Sequence, residues 1–385
     1  ALAGKLPAVS WLVAAYEECE HPTAGPNNGA QLVSRVLDGL AADPDVWNRT
    51  VFLLNYDEND GFFDHVPAPA PPVNADQGQS TAAVTDEIYL GVPIGLGARV
   101  PLTVVSPWSK GGNVCSEVFD HTSVIRFLER WTGVREPNIS PWRRAVCGDL
   151  LSTLDFTGAG MYPDLPAPVA TTGPRPTYPT PPSSQTFPVQ EPGTRPSRPL
   201  PYVLAASGRV APDAFWIDFA NTGTAGAHFY VYANPPVRTD GPWRYTVEAG
   251  KTLTDYWKVG TPAGAYDLTV LGPNGFVRTF AGNRSIPAGA ANPEVILRYA
   301  PGENRVYLRM TNSGGTSCTV SLKPNNRPGG PWTYPLGPGV STEDYVSTAG
   351  TQGWYDITAS STGFSRRFAG HMENGTQQTT DPAAG

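Results

Sequence analysis

The segment Phe219-Ala220-Asn221-Thr222-Gly223 returns later in the chain as Met310-Thr311-Asn312-Ser313-Gly314. Gly241-Pro242-Trp243 recurs as Gly330-Pro331-Trp332, and Asp255-Tyr256 as Asp344-Tyr345. Tyr266-Asp267-Leu268 recurs as Tyr355-Asp356-Ile357, and Phe280-Ala281-Gly282 as Phe368-Ala369-Gly370. The offset holds at about 90 residues, too long for a solenoid unit and right for a small domain. Each copy carries short alternating runs such as His228-Phe229-Tyr230-Val231-Tyr232 between Gly, Pro and Asn turns. That period of two predicts two tandem β-sandwiches, over 202–287 and 288–378. Trp243 and Trp332 hold equivalent positions and are expected in the sandwich cores, with Cys318 pointing inward too. His228 and His371 have no partner pattern and read as structural.

Residues 1–155 read differently, with strand and helix signals in alternation. Leu6 to Ala14 is apolar and predicts a buried strand. A Gly/Pro/Asn loop follows over 22–29, then a helical pattern over 31–40. Strands are expected within 47–55 and at 100–106, separated by a polar, Pro-rich excursion over 67–96. His121 to Thr132 is amphipathic and reads as a helix. Such alternation predicts a parallel sheet with helices on both faces. Residues 156–201, centred on Pro174 to Pro182, form a Pro-rich linker of polyproline character.

Bulk properties exclude several classes. The formal net charge of -7 argues against nucleic-acid binding and gives no attraction to anionic membranes. Gly and Pro, at 41 each, favour β-rich and loop-rich structure over long helices. No apolar run is long enough for a transmembrane helix. The first residues lack the basic start and apolar core of a signal peptide. A start so close to an interior strand predicts a fragment, the C-terminal part of a processed or nicked enzyme. Cys19, Cys115, Cys147 and Cys318 form no close CxxC pair, so a thiolate zinc site is not expected. Cys115 and Cys147 either pair in a secreted protein or stay as buried thiols.

Chemistry concentrates in Tyr56-Asp57-Glu58-Asn59-Asp60-Gly61-Phe62-Phe63-Asp64-His65. The apolar run Val51 to Asn55 precedes it, so Asp57 and Glu58 stand where a strand ends. Ligands of open α/β sheets bind at that end. Two adjacent carboxylates suit a hard divalent cation, Mg²⁺, Ca²⁺ or Mn²⁺, while mixed His/Asp ligation would suit Zn²⁺. His21 lies on a loop fixed by Pro22 and could donate to a phosphate oxygen or protonate a leaving alkoxide. His65 could contact the phosphoryl group or orient the acidic loop. Asp120 could cap the helix that His121 opens, leaving His121 either a site residue or local structure. Tyr16, Tyr56, Tyr89 and Trp108 lie on candidate loops of this part, where each is either packing or a face for a ligand. No Gly-x-Ser-x-Gly elbow, Walker loop or dinucleotide fingerprint is present.

Glu20-His21-Pro22, the Asp57–His65 string and Phe119-Asp120-His121-Thr122-Ser123 together resemble the bacterial phosphocholine-type phospholipase C family. That family is related to alkaline and acid phosphatases. The repeats resemble its paired C-terminal domains. The resemblance implies an α/β catalytic part with an alkaline-phosphatase-like parallel sheet, followed by two all-β sandwiches. It implies Asp57 and Glu58 as metal ligands, and His21 and His65 as catalytic. It places the nucleophile and a Glu-Asn ligand pair in an N-terminal segment preceding this chain, held as a separate chain after cleavage. The implied enzyme is bacterial and secreted, either extracellular or periplasmic. It degrades phosphatidylcholine or sphingomyelin through a phospho-enzyme, touching the membrane transiently. Ethanolamine phospholipids, phosphomonoesters and a non-catalytic lipid- or surface-binding role are the alternatives.

Overall fold

The structure is a computed structural model. It describes all residues except 1–2, 23, 63–64, 159–162, 166, 168–182, 187–188, 190, 212–213, 259–263 and 384–385. The Pro174–Pro182 stretch therefore lies outside the described residues. Two compact units are present. The first holds residues 1–67, 98–113 and 153–191; the second holds 68–97, 114–152 and 192–385.

In the first unit, helix α1 (Pro26–Ala41) begins earlier than the periodicity suggests, because Pro26 occupies its first position. Proline's fixed φ and missing N–H suit that position. Strand β1 (Phe52–Asn55) is shorter than expected. Trp47 instead ends a helical turn, Pro44–Trp47, and is 2% exposed. The parallel sheet is not what the described residues form here. β1 pairs antiparallel with Leu102–Val105, Phe52 facing Val105 and Asn55 facing Leu102. An apolar run reads the same in either orientation, so spacing alone does not separate them. Leu6 to Ala14 is not a strand: Trp11, Leu12 and Val13 are 68%, 64% and 86% exposed. A strand needs a neighbour to satisfy its backbone groups, and among the described residues none pairs with this run.

In the second unit, strand β2 (Gly78–Ser80) emerges from the Pro-rich excursion. With it count β3 as the Leu102–Val105 strand of the first unit. Helix α2 (His121–Thr132) follows the sequence pattern, and α3 (Pro141–Val146) follows it in the chain. The first repeat supplies β4 (Leu204–Val210), β5 (Ala214–Asn221), β6 (Ala227–Ala233), β7 (Trp243–Val247), β8 (Thr252–Lys258), β9 (Ala265–Leu271) and β10 (Val277–Asn283). The second supplies β11 (Pro293–Ala300), β12 (Arg305–Asn312), β13 (Cys318–Pro324), β14 (Trp332–Leu336), β15 (Ser341–Ser347), β16 (Trp354–Ser361) and β17 (Phe364–His371).

Each repeat sets a three-stranded sheet, β8-β5-β4 or β11-β12-β15, against a four-stranded one. The four-stranded halves join edge to edge through β10 and β17, making one nine-stranded sheet: β14-β13-β16-β17-β10-β9-β6-β7-β2. Alternating inward residues fill two cores. Phe215, Ile217, Phe219, Phe229 and Leu268 anchor the first; Val306, Leu308, Met310, Val320 and Phe368 anchor the second.

The repeated motifs are the anchors of this fold. Asn221 Nδ2 donates to Ala225 O (2.8 Å) and Val247 O (3.0 Å), and Asn312 Nδ2 donates to Thr316 O (2.9 Å) and Leu336 O (3.2 Å). The glycine two places on is a close approach: a Cβ on Gly223 would lie 2.3 Å from Pro201 O, and one on Gly314 2.0 Å from Ala290 O. Tyr245 and Tyr334 donate to Asp255 and Asp344 at 2.7 and 2.6 Å. Trp243 and Trp332 are less buried than expected. Trp243 is half-buried beside the first core, and Trp332 is 36% exposed, because β14 forms one end of the long sheet.

Candidate active site

The acidic loop starts where β1 stops. Tyr56 N–H donates to Pro101 O at 3.2 Å, extending the β1–β3 pairing by one residue. Asp57 and Glu58 follow, both exposed. Asp57 Oδ1 accepts from the Glu58 N–H at 3.1 Å, a hydrogen bond that Asp makes readily in turns. The loop then closes tightly. Asn59 O accepts from Phe62 N–H at 2.8 Å, and Asp60 and Gly61 take φ of 50° and 75°. Glycine and short polar residues occupy that left-handed region at least cost. The Asn-Asp-Gly sequence is thus the turn that holds the two carboxylates at the strand end. His65 lies just beyond, exposed; Phe63 and Asp64 are outside the described residues.

His21 sits on the loop entering α1. Its carbonyl accepts from Ala24 N–H at 2.7 Å, and the Tyr16 ring lies 6.1 Å from the imidazole. One side-chain contact ties this loop to the acidic one. Tyr56 Oη donates to Glu20 Oε2 at 2.7 Å. The residue before His21 is therefore bonded to the residue before Asp57. The Tyr56 hydroxyl is pushed up to about 12, first by that hydrogen bond, then by burial and by the Glu20 charge. Losing its proton would set two negative charges side by side. Glu20 has room because Gly29 of α1 lacks a side chain: a Cβ there would lie 2.4 Å from Glu20 Cγ. Sequence reasoning missed this pair, since nothing in the spacing of Glu20 and Tyr56 signals contact.

The other candidates are placed as follows. Among the described residues, no three His, Cys, Asp or Glu side chains converge to hold a metal ion. Asp57 and Glu58 offer two hard oxygen donors, which suits a divalent cation but falls short of the roughly four to eight ligands such ions take. His121 and Tyr89 belong to the second unit. Asp120 caps α2: Ser123 Oγ accepts from its N–H at 3.1 Å, and its carboxylate accepts from Thr122 Oγ1 at 2.6 Å and Arg143 at 2.7 Å. Trp108 packs on Phe156, ring centres 5.2 Å apart. Tyr16 and Tyr89 are exposed. His228 is buried and its pKa is pushed down to about 3, by burial first and the Arg244 charge second, so it stays neutral at ordinary pH. His371 bonds Glu373 at 2.7 Å. The four cysteines are free thiols, and Cys318 packs beside the second core. Among the described residues, no helix is long and apolar enough to cross a membrane.

Residues 1–135 match the phosphoesterase family, and residues 196–283 and 293–371 each match the bacterial phospholipase C, C-terminal domain. The chain is 45% identical to "Non-hemolytic phospholipase C" of Burkholderia pseudomallei, over 98% of this chain and 57% of that protein. It is 45% identical to "Non-hemolytic phospholipase C" of Pseudomonas aeruginosa, over 100% of this chain and 59% of that protein. "Hemolytic phospholipase C" of the same species is 43% identical over 98% and 57%. The chain therefore spans somewhat over half the length of these relatives.

Proposed function

Because the chain belongs to the phosphoesterase family and carries two copies of the bacterial phospholipase C C-terminal domain, we propose that the protein it is part of is a phospholipase C. Its reaction would be hydrolysis of phosphatidylcholine or sphingomyelin to diacylglycerol or ceramide and the phosphorylated head group. The observation carrying this reading is the Tyr56–Glu20 contact, which sets the His21 loop beside the acidic pair.

In this reading Asp57 and Glu58 hold a divalent metal ion, together with donors outside the described residues. Such an ion supplies positive charge to the non-bridging phosphate oxygens. His21 donates a proton to the leaving oxygen, and His65 donates a hydrogen bond to the phosphoryl group. The nucleophile is assigned to the part of the enzyme that this chain does not contain, which is its necessary partner. Secretion belongs to the same reading, as do transient contact with a phospholipid surface and an alkaline-phosphatase-like catalytic fold.

The test uses the intact enzyme with phosphatidylcholine, sphingomyelin, phosphatidylethanolamine and a phosphomonoester. Release of phosphocholine from the first two, lost in Asp57→Asn, is expected. Preference for the ethanolamine lipid or the monoester would replace the head-group assignment. Binding of liposomes with no hydrolysis of any substrate would overturn the enzymatic reading.

A further inference from the structure

We infer that the second β-sandwich carries a binding site for a single saccharide ring, in the cavity of about 230 Å³ beside Trp354. Drug-sized pockets run to about 300–1,000 Å³, so this one suits one ring and not an acyl chain or an oligomer.

The cavity is not a by-product of the repeat. Its scaffold occurs in both copies. Asn325 Nδ2 donates to Asp356 Oδ1 (2.8 Å) and Thr358 Oγ1 (2.9 Å), and Asn234 Nδ2 donates to Asp267 Oδ1 (2.7 Å) and Thr269 Oγ1 (3.0 Å). What the second copy adds is chemistry. Trp354 stands where the first repeat has Ala265, and Arg367 where it has Thr279. Both added side chains line the cavity, together with Arg327.

Their arrangement selects the ligand class. Arg367 grips both oxygens of Asp356, at 2.9 and 2.6 Å, and Arg327 pairs with Asp381 at 2.6 Å. Both cations are thus already neutralised, which disfavours an anion such as phosphate. Arg327 is about nine-tenths buried, and its Nε–H has no hydrogen-bond partner. Carboxylate, guanidinium and amide groups with spare lone pairs and N–H groups match vicinal hydroxyls, each both donor and acceptor. Trp354 is held in place by its Nε1–H, which donates to Thr379 O at 2.9 Å, and by the His371 ring 4.7 Å away. An electron-rich indole face complements the C–H face of a pyranose. Gly275 keeps the approach open: a Cβ there would already touch Trp354 Cζ3 at 3.4 Å.

The experiment is saturation-transfer NMR on the full chain with the methyl glycosides of glucose, galactose, mannose and N-acetylglucosamine. At least one glycoside should receive saturation on its ring C–H protons. Trp354→Ala and Arg327→Met should each weaken its binding at least tenfold. Circular dichroism checks folding; if Trp354→Ala unfolds, Arg327→Met decides. Absence of binding by all four glycosides, binding that survives Arg327→Met, or displacement of the glycoside by phosphocholine would each overturn the assignment.

Discussion

Arg366 of the second repeat donates from Nη2 to the hydroxyl of Tyr266 in the first, at 2.9 Å. The relationship is reciprocal, for Arg278 of the first repeat donates to Tyr355 of the second at 2.8 Å. The two arginines occupy equivalent repeat positions, as do the two tyrosines. Antiparallel pairing of β10 with β17 brings each arginine into the other repeat's core. Arg366 is fully buried, pairs with both oxygens of Glu294 at 2.8 Å, and lies 4.3 Å from the Phe364 ring centre.

Removing that cation leaves Glu294 and Tyr266 without their partner inside the seam. Arg366→Ala should therefore destabilise the second unit by about 3–5 kcal/mol, and Tyr266→Phe by about 1–3 kcal/mol. Urea denaturation followed by circular dichroism measures both. A cost under about 1 kcal/mol for Arg366→Ala would mean that the seam tolerates an empty socket, contrary to the cost expected for a broken buried pair.

The Tyr56–Glu20 bond has a pH signature. It stabilises the neutral hydroxyl, so its contribution is complete below the ordinary tyrosine value of 10.0 and fades as pH rises towards about 12. With ring-¹³C tyrosine, the Tyr56 resonance should titrate near 12 and move down in Glu20→Gln. Gly29→Ala should move it down as well, because the added methyl displaces Glu20, even though alanine favours the helix by up to about 1 kcal/mol. Titration of Tyr56 at the ordinary value in the unaltered protein would show that the two loops are not joined in solution.

What the sequence made legible was local or repeated. Asn221, Asp255 and Tyr266, picked out only because they recur, proved to be hydrogen-bonding anchors of both sandwiches. The α2 boundaries followed from periodicity and the Asp120 cap. Pairing between distant segments was not legible. An apolar run does not say whether β1 meets a parallel or antiparallel neighbour. β2 hid in a polar stretch because its place depends on the edge of β7, far along the chain. The Trp354 cavity was within reach, since a tryptophan facing Ala265 in the repeat comparison breaks the symmetry.

Glu129 ties α2 to α3. Its carboxylate takes Arg144 at 2.8 and 2.9 Å and the Glu136 N–H at 2.6 Å. The Arg144 hydrogen bonds hold its pKa down at about 2, against an ordinary 4.5. A depressed carboxylate stabilises above the unfolded value and loses its effect as pH falls through the folded one. Unaltered protein should exceed Glu129→Gln in stability above pH 4.5, with the gap closing towards pH 2. Thermal melts across that range check it; a gap that stays constant would mean that the effect is packing and not charge.

Asp57→Asn isolates charge from structure at the acidic loop. Asp57 Oδ1 already accepts from the Glu58 N–H, and an asparagine Oδ1 can accept the same hydrogen bond. The tight turn of Asn59 to Phe62 does not involve the substituted atom. Asp57 is also exposed, so loop and stability should stay within about 0.5 kcal/mol of the unaltered protein. What changes is one negative oxygen of a pair that falls short of a full ligand set. Losing a positioned group near a metal costs about 10–100-fold in affinity even from the outer shell, so at least that loss is expected here. Calorimetric titration of the chelator-treated intact protein with Mg²⁺, Ca²⁺, Mn²⁺ and Zn²⁺ reads it directly, and Glu58→Gln should behave alike. Unchanged affinity in both variants would remove Asp57 and Glu58 from the proposed metal site while leaving the Tyr56–Glu20 contact intact.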